Sequence, residues 1–128
     1  MSTPLKVLVA DDTPSNVKVL RTLLRIHGYE VVTAENGRQA VDTFEAEHPD
    51  VVLMDVVMPV MGGYDACRLV RKADGGQTVP IIMVTASAPQ ERDRAIEAGA
   101  NEVLMKPVDQ ERLLALMASL LGERAADS

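Results

Sequence analysis

Asp11, Asp12, Asp55, Thr85 and Lys106 are the residues of this 128-residue chain whose types and positions suit chemistry. Each stands at the end of a short apolar run: Asp11 and Asp12 after the first, Asp55 at the third, Thr85 at the fourth, and Lys106, followed by Pro107, at the fifth. Taken singly, each has a plain reading. An acid pair suits a solvated turn or a helix start, an aspartate suits a strand-end turn, threonine suits a strand, and a Lys-Pro pair suits a loop. A random scatter of polar residues would not mark the same end of four runs.

The three carboxylates need a reason to converge, because like charges a few ångströms apart oppose joint ionisation. A hard divalent cation with oxygen ligands removes the conflict. Magnesium fits best, since it binds through few carboxylates, keeps waters and bridges to phosphate. The sequence offers no His/Cys cluster for zinc. A carboxylate beside magnesium can also be a nucleophile toward phosphorus and form an aspartyl phosphate. Lys106 adds a second positive charge and Thr85 a hydroxyl donor for the spread negative charge of a transferring phosphoryl group.

The apolar runs are Leu5–Ala10, Glu30–Ala34, Val51–Met54, Pro80–Val84 and Glu102–Met105. Most lack polar alternation, as parallel strands covered on both faces do. The second is the least apolar and is expected at a sheet edge. Helical signals fall between and after them. Thr13 is placed to cap a first helix, with Pro14 at its first position and Gly28 at its end. Its inward stripe is Val17, Leu20 and Leu24. Asn36 is placed to cap a second, with Gln39 as in a capping box and Val41 and Phe44 facing in. A third runs from about Tyr64 to Lys72, and a fourth from about Pro89 to Ala98, ending at Gly99. The last begins at Asp109, with Leu113, Leu116, Met117 and Leu120 along one face. The sum is an α/β chain of (βα)5 type, whose right-handed crossovers put helices on both faces of one parallel sheet. Ligands of such sheets bind at the carboxyl ends of the strands, where the chemistry-bearing residues sit. One domain is expected over residues 1–128, with a core of about 5–121 and a frayed tail at 122–128.

Composition excludes several roles. The net charge of −6 repels nucleic-acid phosphates, and the only aromatics, Tyr29, Phe44 and Tyr64, cannot build a base-stacking platform. Apolar runs stop well short of the roughly 18 residues of a membrane span, and no signal peptide is visible, so the cytoplasm is the expected compartment. A lone Cys67 permits no internal disulfide. Cys67 and the methionines Met54, Met83 and Met105 read as packing residues, and His27 and His48 as surface residues near helix ends.

The segments Val9-Ala10-Asp11-Asp12, Leu53-Met54-Asp55-Val56-Val57-Met58-Pro59, Val84-Thr85-Ala86 and Lys106-Pro107, in this order, resemble the receiver domains of two-component response regulators. The resemblance covers about Leu5 to Leu121. It implies the flavodoxin-like strand order 2-1-3-4-5. It implies that Asp55 accepts a phosphoryl group from a histidine phosphate. Asp12, Asp55 and the backbone carbonyl of Val57 would be Mg2+ ligands, with Asp11 acting through water. Lys106 would pair with the phosphoryl group and Thr85 would hydrogen-bond to it after transfer. The implied partners are a sensor histidine kinase or histidine phosphotransfer protein and a downstream protein in trans, or an effector domain beyond this chain. The chain would be a phosphoacceptor that assists its own phosphorylation and dephosphorylation, rather than an enzyme.

Three positions depart from the family's usual pattern: Val103 where an aromatic is usual, Met61-Gly62-Gly63 where Met-Asp-Gly is common, and apolar Val57 two residues after Asp55. Valine is stiff and small, so a conformational response is expected in Ala86–Pro89 and the fourth helix instead. An aspartyl-phosphate hydrolase of the haloacid-dehalogenase type would carry a second acid where Val57 stands. A flavin or nucleotide module would want a glycine-rich loop where Asp11-Asp12-Thr13-Pro14 stands. A pseudo-receiver that is never phosphorylated would not need the full residue set.

Overall fold

The computed structural model describes residues 4–126. In chain order the elements are β1 (Lys6–Ala10), α1 (Pro14–Ile26), β2 (Glu30–Ala34), α2 (Gly37–Glu47), β3 (Val51–Asp55), α3 (Gly63–Lys72), β4 (Ile81–Thr85), α4 (Ala88–Ala98), β5 (Glu102–Met105) and α5 (Gln110–Ala126). The strands form one parallel sheet in the order β2-β1-β3-β4-β5. The expected (βα)5 architecture and its strand order are therefore observed. β3 and β4 are buried along their whole lengths, whereas β2 sits at an edge and exposes Glu30 and Thr33. Covered central strands and a half-wet edge account for the different apolar purity of the runs.

Alternate side chains of each strand point to opposite faces. One row, with Leu8, Val52, Met54, Ile81 and Met83, packs against α2, α3 and α4 through Val41, Phe44, Cys67, Val70 and Ala95. The other row, with Val7, Val9, Leu53, Ile82 and Leu104, packs against α1 and α5 through Leu20, Leu24, Leu113 and Met117.

Local corrections follow from burial and capping. Val17 is only partly buried, so Leu20 and Leu24 carry the inward face of α1. On α5 the buried stripe is Leu113, Met117 and Leu121, spaced by four, while Leu116 and Leu120 are partly covered. Thr13 occupies the cap position of α1 but makes no side-chain cap bond. Pro14 already removes one unsatisfied donor there, and the Thr13 N–H is taken by Asp11 Oδ1 at 2.9 Å. Asn36 does cap α2, accepting from the Gln39 N–H at 2.8 Å, while Gln39 reaches back to the Glu35 N–H. Met105 is about half exposed on edge strand β5 and is not core filler, unlike Met54 and Met83. α5 continues to Ala126, past the expected end of the core at Leu121; the rest of the expected tail, Asp127 and Ser128, lies outside the described residues.

Arg71 joins the ends of α3 and α4 to the base of β4. Its guanidinium donates to the carbonyls of Gly99, Gly76 and Val79 at 2.9, 2.9 and 2.6 Å and to Asn101 Oδ1 at 2.9 Å. Asn101 Oδ1 in turn accepts the Ile81 N–H at 2.8 Å. A planar fork of donors can satisfy several carbonyls at once, which a lysine cannot. Arg71→Met keeps the apolar stem and strands these acceptors. It is expected to lower stability by about 2–3 kcal/mol, read as a fall in the urea midpoint at unchanged slope.

Candidate functional site

The strand rows explain which polar residues meet. Continuing the α1/α5-facing row by one step past Val9, Leu53 and Leu104 reaches Asp11, Asp55 and Lys106. The ladder persists that far: the Asp11 N–H donates to Ala34 O at 3.0 Å and the Lys106 N–H to Thr85 O at 2.8 Å. Thr85 continues the opposite row, after Ile81 and Met83, and so stands on the α4 side. A cavity of about 410 Å3 opens between α1 and α5, lined by the polar Asp11, Asp55 and Lys106 and by the apolar Val9, Leu20 and Leu53.

Asp11 and Asp55 are buried and Asp12 is exposed. One carboxylate oxygen from each of the three lies within 4.8 Å of the others. The Lys106 ammonium donates to Asp55 Oδ2 at 2.8 Å and stands 3.8 Å from Asp11 Oδ2. Burial pushes the Asp55 carboxyl above its ordinary range; the Lys106 hydrogen bond and charge and the Val57 N–H pull it down, and the Asp11 charge adds to the rise. Burial also acts to lower the Lys106 ammonium, but its bond to Asp55 and the charges of Asp55, Asp11 and Asp12 outweigh that and hold it above its usual value. The asymmetry within the pair follows from exposure, 6% for the Asp55 side chain against 28% for Lys106. Desolvation falls mainly on the carboxylate.

One ammonium thus faces three carboxylates, and the surplus is negative. The donor set is all oxygen, which fits a hard divalent cation better than zinc. Val57 points its side chain to solvent, 76% exposed, so only its backbone is available to the site. Thr85 is buried; its Oγ1 accepts the Ser87 N–H at 3.2 Å, leaving the hydroxyl hydrogen for another acceptor. The Lys106–Pro107 peptide is cis.

The loop that follows Asp55 is gripped at two points where a side chain has no room. The Gly63 N–H donates to Val56 O at 2.9 Å, and a Cβ on Gly63 would lie 2.1 Å from Asp55 O. The Gly37 N–H donates to Met61 O at 2.9 Å, and a Cβ there would lie 2.3 Å from Met61 O. Both α2 and α3 therefore start against the Asp55 loop, and only glycine permits the approach.

Every site residue expected from the sequence lies at this sheet edge. Two contacts were not foreseen. Asn16 Nδ2 reaches Asp11 Oδ2 at 3.4 Å from the first turn of α1; its place five residues after Asp11, just inside the helix start, was the available signal. The Tyr64 hydroxyl donates to the Glu91 carboxylate, and the Arg94 guanidinium lies 4.9 Å from the Tyr64 ring centroid, tying α3 to α4. Partial burial of Tyr64 and that bond raise its phenol to about 12. Nothing in the spacing of Tyr64 and Glu91 announces the pair, because it depends on how two helices cross.

A family model described as the response regulator receiver domain matches residues 7–118. The PilH protein of Pseudomonas aeruginosa is 40% identical over 119 residues, covering 91% of this chain and 98% of that protein. A probable transcriptional regulator of Cyanophora paradoxa is 42% identical over 117 residues, and the chain spans 48% of its length, about half, as with the other such regulators it matches. Among solved structures, the receiver domain of a Pseudomonas aeruginosa sensor histidine kinase, with a magnesium ion coordinated in its active-site cleft, superposes with a TM-score of 0.88 at 36% identity, covering 94% of this chain and 99% of that one. A chemotaxis response regulator of Vibrio cholerae gives 0.87 at 34% identity, covering 92% and 99%.

The surplus of negative charge yields a stability prediction. A ligand bound only by the folded state adds RT ln(1 + [L]/Kd), about 2.7 kcal/mol at roughly 100-fold excess over Kd, which is several degrees of Tm. Millimolar Mg2+ is expected to raise the melting temperature of the native sequence, and Asp12→Ala is expected to lose most of the rise. Equal rises in a thermal scan would remove Asp12 from the site.

Proposed function

The chain belongs to the response regulator receiver family of two-component systems, and on that premise we propose that Asp55 is its phosphoacceptor. The observation that supports this most is the contact of Lys106 with Asp55 at 2.8 Å inside a cluster of three carboxylates at one sheet edge. An Asp55 oxygen attacks the phosphorus of a donor histidine phosphate. A P–O bond forms, the P–N bond breaks, and its electron pair returns to the imidazole. Lys106 offers its ammonium to the incoming phosphoryl oxygens, and Thr85 donates its free hydroxyl hydrogen to one of them. Mg2+ bound by Asp12, Asp55 and the Val57 carbonyl, with Asp11 acting through water, would supply positive charge against those oxygens.

The proposed donors are a sensor histidine kinase or a histidine phosphotransfer protein, and the receiver unit is residues 1–128 with its core at about 5–121. The proposed setting is the cytoplasm; among the described residues no helix is long and apolar enough to cross a membrane. For the receiver itself the proposed downstream contact is a protein, since its charge of −6 disfavours nucleic acid. Val103 is buried against the α4 side of the sheet. Movement of Thr85 toward a phosphoryl group therefore acts on Ala86–Pro89 and α4, which is held to the core chiefly by the small residues Ala95 and Ala98.

Two measurements test this reading. Intact mass after incubation with acetyl phosphate and Mg2+ should show one added phosphoryl group, and Asp55→Ala should show none; labelling of the variant equal to that of the native sequence would overturn the assignment. The second is the lifetime of the label. Hydrolysis requires a water held in line with phosphorus, and the exposed, apolar Val57 cannot hold one. Val57→Asn is expected to shorten the half-life severalfold, read as loss of the added mass over time.

A further inference from the structure

The first turn of α4 is hydrogen-bonded back to the end of β4. The Ser87 N–H donates to Thr85 Oγ1 at 3.2 Å, and the Gln90 and Glu91 N–H groups each donate to Ser87 O at 3.0 Å. Thr85 therefore cannot turn its hydroxyl toward Asp55 without losing the Ser87 bond or drawing that turn with it. Little apolar packing resists the pull. Among the described side chains of α4 the buried ones are Ala95 and Ala98, and Ile96 is 44% exposed. Ser87 makes no side-chain cap bond, and Pro89 and Gln90 face solvent.

Among the described side chains of this turn, Glu91 is the one bonded to another element. Its carboxylate accepts the Tyr64 hydroxyl in a partly buried setting. Arg94 completes the group, 4.9 Å from the Tyr64 ring centroid and 3.9 Å from the Glu91 carboxylate. The neighbouring Arg92–Glu102 pair, at 2.9 Å, is more exposed and correspondingly weaker. The far end of the tie is held. Tyr64 follows Gly63, which packs directly against Asp55 O. One end of the Tyr64–Glu91 bond thus stands on the Asp55 loop and the other on the turn that Thr85 pulls. A hydrogen bond weakens steeply when its partners separate, so movement of α4 past α3 breaks this one.

We infer that the Tyr64–Glu91 bond is a latch that holds α4 in its unphosphorylated position and sets how readily a phosphoryl group on Asp55 can move it. The inference rests on Asp55 being the phosphoacceptor. A bond present only in the unswitched state lowers the affinity for whatever drives the switch, by the factor that the bond itself contributes. With a stiff valine at position 103, the aromatic group bonded to α4 is Tyr64, which reaches it from α3.

The test uses beryllofluoride, which forms on a carboxylate and mimics a phosphoryl group. It is titrated in fixed millimolar Mg2+ into the native sequence, Tyr64→Phe, Glu91→Ala and the double variant, followed by the amide shifts of Ala86–Gly99. Each single variant is expected to bind about tenfold tighter than the native chain, the scale of one hydrogen bond to a charged group. The double variant is expected to bind no tighter than either single one, because all three lack the same bond. A merely structural tie would lower the melting temperature and leave the affinity native. Affinity within about twofold of native in either single variant, weaker binding in either, or gains that add in the double variant would each overturn the latch. Binding equal in the native sequence and Asp55→Ala, or none in the native sequence, would refute the phosphoacceptor reading itself, independently of Tyr64.

Discussion

The contact between the Lys106 ammonium and the Asp55 carboxylate governs the site. It joins the last strand to the middle of the sheet, and among the described residues Lys106 is the one cation within salt-bridge distance of the buried carboxylates Asp55 and Asp11. A pair this enclosed stabilises little by itself, because removing both charges from water offsets most of their attraction. Its consequence is poise. Burial holds the Asp55 carboxyl above its ordinary range even with an ammonium against it, so the group is set to gain from further positive charge. A cation or a phosphoryl group at the proposed site would change which partner Lys106 holds, and that exchange would couple the site to the rest of the domain.

The remainder of the fold keeps that contact in register. Parallel pairing aligns the strand ends, and the alternation of side chains brings Asp11, Asp55 and Lys106 to one face while sending Thr85 to the other. Asp55 and Thr85 thereby continue rows on opposite faces of the sheet. The acidic group opens on the cavity between α1 and α5, and Thr85 leans toward α4. The glycine contacts fix the Asp55 loop, whereas α4 rests on alanines and on the tie from Glu91 and Arg94 to Tyr64. Rigid support on one side of the site and light packing on the other give a local charge change a preferred direction in which to act.

Fold class, strand positions and the polar residues at the strand ends were legible in the sequence. They rest on patterns a few residues long: uninterrupted apolar runs for covered parallel strands, an asparagine with a glutamine three residues on for the start of α2, and polar residues where those runs stop. These are local properties, set by backbone geometry and by the need to bury apolar surface. The strand order was legible only through resemblance, because connection rules alone admit more than one order.

What the tertiary structure decided are quantities that depend on elements distant in sequence. The partnership of Lys106 with Asp55 rather than Asp12, the reach of Asn16 to Asp11, the Arg71 hub and the Tyr64–Glu91 tie each require a particular approach of two elements. The half-exposed Met105 and the solvent-facing Val57 and Val60 reverse what their apolar character suggests, since exposure follows from which helix covers which strand. The positive φ of Val60 has no signature in its own residue type, which disfavours that conformation; the turn is imposed by glycines that dock α2 and α3 against the loop. A residue's type states what it can do, and the packing of its neighbours determines which of those possibilities is realised.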